Sequence, residues 1–462
     1  MQRIHTVYMW HVARITSNMI DHCARLVALI GIGCGSHAPA LSDGGSAASS
    51  DAVVDAHVRA RPVLDDAAQL CKLLSARNTS DPTPNAVQFR ANVLGADLGI
   101  PVATADRLYL LFGDTIGFAG IWGDGQSHPD AVGYALDAPA AVAADPDLLC
   151  TRLGIVTLAP SASIGPTVDA RVQADFAGAA MIAPQGEALS TYIHDPAGAG
   201  TQRFANLPGD FEVPSGAFAA GGSIYVFYTT VVSSSDVTMK ASYLARWTTP
   251  SPASVPAYQI LYPIDERFDG AGALGGDFIN ISAQVAGDYV YLFGTGAYRA
   301  SPISLARKSL ATLATPGGFE RFDAASGTWS AARGAPIIAA AGYGETSARY
   351  FANLDRWVVM AEESLPGSNR IVARFADRPE GPWSDAVVVH DMADPRFRAA
   401  SCCTPDDACE GAQFLDCDRT GFYGSYLLPE ARDQGGTFEL AYTLSSFAPY
   451  NVALFSATFV QP

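Results

Sequence analysis

Five times along this chain a polar turn is followed by an alternating, aromatic-rich strand and then by a second strand. No other feature restricts the fold so far. The first strands are Arg107-Leu-Tyr-Leu-Leu-Phe112, Ser223-Ile-Tyr-Val-Phe-Tyr228, Asp288-Tyr-Val-Tyr-Leu-Phe293, Arg356-Trp-Val-Val-Met-Ala361 and Thr437-Phe-Glu-Leu-Ala-Tyr442. With Tyr109, Tyr225, Tyr291, Trp357 and Leu440 as markers, successive gaps are 116, 66, 66 and 83 residues. The second strands echo one another more closely: Val132-Gly-Tyr-Ala-Leu136, Ser242-Tyr-Leu-Ala-Arg246, Ile303-Ser-Leu-Ala-Arg307, Ile371-Val-Ala-Arg374 and Asn451-Val-Ala-Leu454. A unit of 66 residues holds four short strands and their loops, which is one propeller blade. The repeats therefore predict an all-β chain forming a single five-bladed β-propeller over residues 62–462. Turn-separated strands also suit a β-sandwich or two small β-domains, but the near-equal spacing favours the propeller. The long first gap predicts a loop-like insertion within residues 137–200. Leu64, Leu70, Leu73 and Leu74 predict a short helix over residues 63–76, ahead of the first blade.

The 462 residues carry 46 acids against 29 bases, a formal charge of −17. So acidic a chain, with no basic cluster, repels phosphate backbones and is not expected to bind nucleic acid. Near the N-terminus Arg25 precedes the apolar run Leu26–Gly33, which ends at Cys34. The run is too short to span a bilayer but suits the core of a signal peptide. Gly33-Cys34 fits a bacterial lipobox, while Gly31 stands where Leu is usual. Residues 1–34 are accordingly expected to be a signal peptide, with Met19 as a plausible true start and Cys34 as the lipidation site. A plain cleaved signal and an unprocessed N-terminus are the alternatives. Residues 35–61, rich in Ala, Ser, Gly and Asp, read as a flexible tether. The expected location is the cell envelope, with the lipid as the sole membrane contact and the protein a monomer.

Six further cysteines, Cys71, Cys150, Cys402, Cys403, Cys409 and Cys417, suit up to three disulfides in an exported protein. The neighbours Cys402 and Cys403 are expected to pair elsewhere than with each other. Zinc is the alternative, but the cluster lacks the usual close cysteine pairs and has no nearby histidine. No metal or other cofactor is expected.

Two carboxylates stand out in the first repeat: Asp97 in Gly95-Ala-Asp-Leu-Gly-Ile-Pro101 and Asp114 in Phe112-Gly-Asp-Thr115. A hairpin centred between Thr104 and Ala105 sets Asp97 opposite Phe112 and places Asp114 on the same face, roughly 5–8 Å away. Paired carboxylates at that separation suit glycosidic hydrolysis, one as acid and the other as base or nucleophile. A slip of one residue would put them on opposite faces. Both Asp also neighbour Gly, where the side chain often bonds its own backbone in a turn. Glu345, in Gly342-Tyr-Gly-Glu-Thr-Ser347, is a third candidate carboxylate, and a capped turn is its plainer reading. Candidate sugar-binding residues are Phe118, Trp122, His128, Tyr298 and Arg299. For these the plain alternatives are core aromatics, a surface histidine and an exposed ion pair.

The segments Ala96-Asp-Leu-Gly-Ile-Pro101, Leu111-Phe-Gly-Asp-Thr115 and Val213-Pro-Ser-Gly216 resemble the bacterial family known as domain of unknown function 4185. So do Gly294-Thr-Gly-Ala-Tyr-Arg299 with Leu305-Ala-Arg307, Gly381-Pro-Trp-Ser384 and Ser445-Ser-Phe-Ala-Pro-Tyr-Asn-Val452. That family is similar in architecture to five-bladed propeller glycosidases acting on furanosides, and some members are endo-D-arabinanases. The resemblance implies that Asp97 and Asp114 are catalytic and that the partner is a polysaccharide. The Cys402–Cys417 segment and the long insertion depart from shorter members, which leaves arabinan specificity open. A non-catalytic surface module binding glycan or protein on the same face is the alternative function.

Overall fold

The computed structural model describes residues 59–462 apart from 76–82, 88–90, 92, 94, 118–119, 122–129, 157–191, 195–200, 203–206, 208, 210, 233–236, 254–255, 269–273, 366–367, 404–408 and 410. The chain divides into two units, Met1–Arg59 and Ala60–Pro462, and every described strand and helix belongs to the second. The expected signal peptide, Cys34 and residues 35–58 of the expected tether lie outside the described residues, as do Phe118, Trp122 and His128.

The second unit opens with β1 (Val63–Ser75). A first sheet follows, in the order β2 (Leu98–Ala103), β3 (Leu108–Asp114), β6 (Asp130–Ala135) and β7 (Leu153–Ile155). A small hairpin of β4 (Ile116–Gly117) and β5 (Gly120–Ile121) lies between β3 and β6 in sequence. The second sheet is β10 (Phe211–Ala220), β11 (Ser223–Val231), β12 (Met239–Trp247) and β13 (Ala257–Glu266), extended outward by β8 (Tyr192–His194) and β9 (Thr201–Gln202). The third is β14 (Asn280–Ala286), β15 (Tyr289–Thr295), β16 (Ser301–Ser309) and β17 (Glu320–Asp323), with β18 (Thr328–Ser330) at its edge. The fourth is β19 (Ile338–Phe351), β20 (Arg356–Leu365), β21 (Ser368–Ala376) and β22 (Val387–Asp391), joined to the third by a short β16–β19 pairing. The fifth is β23 (Phe422–Asp433), β24 (Thr437–Ser446) and β25 (Asn451–Val460), and β1 completes its outer edge. The strands recognised in the sequence are thus the second and third of each sheet.

Large apolar clusters lie between successive sheets and close the ring. Phe218, Phe227 and Tyr262 of the second sheet pack with Phe278, Ile281 and Leu292 beside and within the third. Phe293 and Leu305 meet Tyr343 and Val359, and Val358 and Phe375 meet Leu440 and Phe459. Leu73 and Leu454 meet Leu108 and Leu153, and Ile100 and Tyr109 meet Ile224 and Trp247. The architecture is a β-propeller. Each sheet packs on both faces, so middle strands such as β3 and β11 are buried at all but one position.

The inner strands are fastened by hydroxyls. Ser215 Oγ accepts the Ile281 N–H (3.2 Å), Ser282 Oγ the Ala348 N–H (2.8 Å) and Ser347 Oγ the Leu427 N–H (3.0 Å). The inner edge of each sheet has no ladder partner, and these bonds occupy donors that would otherwise be buried unmade. A narrow axial cavity is lined by Ile100, Gly216, Ser282, Ser347 and Tyr426, one residue from each inner strand. Arg349 spans the same region, donating to the carbonyls of Pro101 and Leu427 (the latter at 3.1 Å).

Two expectations are corrected. Residues 63–75 are a strand, not a helix, and pair along the whole of β25. Three register shifts, at Leu64/Asp66, Gln69/Cys71 and Lys72/Leu74, break the two-residue alternation and leave a spacing that imitates a helix. The open edge of β25 supplies the pairing that overrides local preference. The expected loop-like insertion also begins with structure: α1 (Pro139–Ala144), α2 (Leu148–Thr151) and β7 occupy its first part. Most of the remainder lies outside the described residues. The cysteines pair as Cys71–Cys150, Cys402–Cys417 and Cys403–Cys409, so the adjacent pair do pair elsewhere. The first bond ties β1 of the fifth sheet to α2 of the first, fastening the closure of the ring.

Candidate functional site

The starts of the inner strands carry polar groups where the interior is otherwise apolar. Asp97 lies just before β2, Glu212 at the start of β10, Glu345 within β19 and Tyr423 at the start of β23. All four side chains belong to buried residues. Asp114 ends β3, opposite Asp130 of β6.

The hairpin register differs by two residues from the expected one over Ile100–Ala103, where Ala103 faces Leu108 rather than Asp106, and by one beyond, where Phe112 faces Leu98 rather than Asp97. A bulge between Leu98 and Ile100 takes up one of the two residues, with Leu98 and Gly99 both left-handed (φ 64° and 79°). Asp97 accepts the Gly113 N–H at its backbone oxygen (3.0 Å), and its side chain still converges with that of Asp114. The Tyr450 hydroxyl is the witness, lying 3.0 Å from Asp97 Oδ2 and 3.4 Å from Asp114 Oδ2. Tyr423 Oη donates to Asp97 Oδ2 at 2.8 Å. A side chain at Gly113 would collide with Asp97 Oδ1, so glycine is what lets the strand pass so close.

Burial pushes Asp97 up from the usual 3.8 to about 8, and the nearby Asp114 adds to the rise; the two tyrosine hydroxyls offset part of it. Glu212 is pushed up to about 9, again by burial first and by Asp114 second. Deeper in, Arg299 Nε lies 2.9 Å from Glu362 Oε2 and 3.6 Å from Glu345 Oε2. Burial raises Glu362 to about 7, with Arg299 pulling it down and Glu345 pushing it up. Ser364 and Asn369 donate to its other oxygen, at 2.7 and 2.6 Å. Burial opposes the charge of Arg299, yet these carboxylates hold it above its ordinary range. Its guanidinium also faces the rings of Tyr298 (4.6 Å) and Tyr423 (5.2 Å).

The structure therefore brings Asp97, Asp114, Glu345, Tyr298 and Arg299 together at one face. Arg299 is no exposed ion pair: it is a partly buried cation between two buried carboxylates. Sequence reasoning passed over Glu212, Glu362, Tyr423 and Tyr450. Two of these had a signal, because Glu212 directly precedes Val213-Pro-Ser-Gly216 and Tyr450 lies inside the Ser445–Val452 segment. Glu362 and Tyr423 had none, since their roles come from pairing across sheets.

The family model described as domain of unknown function (DUF4185) matches residues 82–456, most of the chain and every residue of this site. The chain belongs to the DUF4185 family. No curated protein matches it. Among solved structures, this DUF4185 propeller is similar to the catalytic domain of the Coprinopsis cinerea GH62 alpha-L-arabinofuranosidase, at 10% identity and a TM-score of 0.42, over 86% of this chain and 97% of that one. The Podospora anserina alpha-L-arabinofuranosidase in complex with cellotriose gives 10% identity and a TM-score of 0.40, over 80% and 92%. The Cellvibrio cellulosa alpha-L-arabinanase complexed with arabinohexaose gives 14% and 0.37, over 78% and 91%. The DUF4185 match begins after β1, so the strand that closes the ring lies outside it.

Proposed function

We propose that this protein is a glycoside hydrolase that cuts a furanoside-containing polysaccharide of the cell envelope with Asp97 and Asp114 as its working pair. The observation that carries the reading is one hydroxyl, that of Tyr450, reaching both carboxyl groups while Asp97 is raised to about 8. An acid that keeps its proton at neutral pH beside a second carboxyl is what a glycosidic oxygen needs to leave. Asp97 protonates the leaving oxygen, and Asp114 activates water or attacks the anomeric carbon. Tyr423 and Tyr450 fix the orientation of Asp97, and Glu345 with Arg299 shapes the field behind it. The furanoside class rests on the family resemblance of the Asp97 and Asp114 segments. Three disulfides support an oxidising compartment, and the run before Cys34 supports export with a lipid anchor.

The test is release of reducing ends from arabinan and from other envelope glycans by the wild type, Asp97→Asn and Asp114→Asn. Release by the wild type and loss in both variants is expected. Unchanged release by the two variants removes the pair from the mechanism. Glycan binding without release in the wild type would leave a non-catalytic module.

A further inference from the structure

The turn between β24 and β25 carries two aromatic rings. Tyr450 faces inward to Asp97 and Asp114, whereas Phe447 is 50% exposed, and the rings meet nearly edge to face at 5.6 Å (81°). A lone exposed apolar residue needs no explanation in general. Phe447 differs from the other exposed phenylalanine among the described residues, Phe268, whose ring lies under the Arg267 guanidinium at 5.0 Å.

The turn is also held from behind. Ser446 Oγ donates to Pro449 O (2.7 Å), Asn451 Nδ2 donates to Phe414 O (2.6 Å), and the Asp416 N–H donates to Ala448 O (2.9 Å). The 414–416 segment is itself anchored: the Cys403 N–H donates to Leu415 O (2.8 Å) and the Phe414 N–H to Ser401 O (2.8 Å). The Cys402–Cys417 and Cys403–Cys409 bonds close the loop that contains it. An aromatic ring is thus presented to solvent on a braced turn three residues from the hydroxyl that touches both carboxyl groups.

We infer that Phe447 is a stacking platform for a sugar ring next to the one being cleaved, and that residues 414–416, beside the Cys402–Cys417 bond, hold that platform in place. The inference rests on the proposed hydrolase reading and names a subsite of it. A flat aromatic face takes the apolar C–H face of a sugar while the sugar hydroxyls stay in water. The surrounding carboxyl groups and the −17 formal charge select a neutral glycan over an anionic one. A platform outside the bond-breaking centre binds ground and transition states alike, so its loss raises KM and leaves kcat in place.

The test uses the full chain in affinity electrophoresis through gels containing arabinan, arabinogalactan or polygalacturonate, with KM and kcat measured on the neutral polymers. Wild type and Asp97→Asn should be retarded alike by a neutral furanoside polymer and not by polygalacturonate. Phe447→Ala should lose the retardation and raise KM by about tenfold, a change of roughly 1.4 kcal/mol, and Phe447→Trp should restore both. Retardation of Phe447→Ala equal to wild type, retardation only by polygalacturonate, or no retardation of the wild type in any gel overturns the platform. The two readings separate cleanly. Retardation lost in Phe447→Ala while the wild type releases no reducing ends keeps the subsite and ends hydrolysis. Release with an unchanged KM in Phe447→Ala does the reverse.

Discussion

The seams between the second and fifth sheets and the seam between the fifth and first sheets are built differently. In the former, a serine on one inner strand accepts an N–H from the next, at sequence separations of 66, 66 and 80 residues. The joint repeats even though β10, β19 and β23 each carry a register shift of their own. At the fifth-to-first seam the hydroxyls come from β24, with Thr443 donating to Gly99 O (3.0 Å) and Ser445 to Leu98 O (3.3 Å), a kind of bond that Thr229 of β11 also makes to Ile279 O (2.6 Å) beside its serine joint. Thr443 and Ser445 grip the two left-handed residues of the bulge that aims Asp97. Tyr423 and Tyr450 reach Asp97 across this same seam. The repeated joint holds the ring, and the departure from it gathers the acidic pair.

If that division is right, substitutions at the two kinds of seam should fail in different currencies. Asp97→Asn should lower kcat by about a thousandfold while its melting temperature at neutral pH is no lower than that of the wild type; a folded variant with full activity would end the distinction. Gly113→Ala drives a methyl into Asp97 Oδ1 and Leu98. It should lower kcat by about a hundredfold and also destabilise the chain by about 1–3 kcal/mol, read by denaturant titration.

The pH dependence sharpens the contrast further. Activity should fall about tenfold per pH unit above about 8, as Asp97 loses its proton. Because its folded value is raised above 3.8, the native state holds a proton that the unfolded chain releases. The stability this gives is full below about 3.8 and is lost as pH rises through about 8. Asp97→Asn should therefore raise the melting temperature relative to wild type more at pH 9 than at pH 5. An equal difference at both would place the ionisation elsewhere. At the regular seam, Ser282→Ala leaves the Ala348 N–H without its acceptor. It should destabilise by about 1–3 kcal/mol with kcat and KM of the folded protein unchanged.

The sequence was most legible where a residue's role is local. Middle strands show as aromatic runs because both their faces are buried, and each one found lies in a different sheet. Asp97 and Asp114 show because two short segments flank one turn. Their convergence did not follow from counting: the hairpin register was two residues off, and the bulge at the left-handed pair Leu98–Gly99 took up one of them. Inner strands such as β10 and β14 were less visible, since their inner edge has no ladder and is fastened by single bonds such as Ile281 N–H to Ser215 Oγ, 66 residues away. Residues 63–75 misled because three bulges erased the alternation that marks a strand.

By itself, the amino-acid order determined a repeating all-β chain, its second and third strands, and an acidic pair beside a tight turn, since these depend on period, propensity and short separations. Only the tertiary structure decided that β1 closes the ring against β25, that Tyr423 and Tyr450 reach Asp97 from more than 300 residues away, and that Arg299 sits between Glu345 and Glu362. The reason is physical. A buried polar group is set by whichever neighbours enclose it, and in a closed ring those neighbours come from opposite ends of the chain.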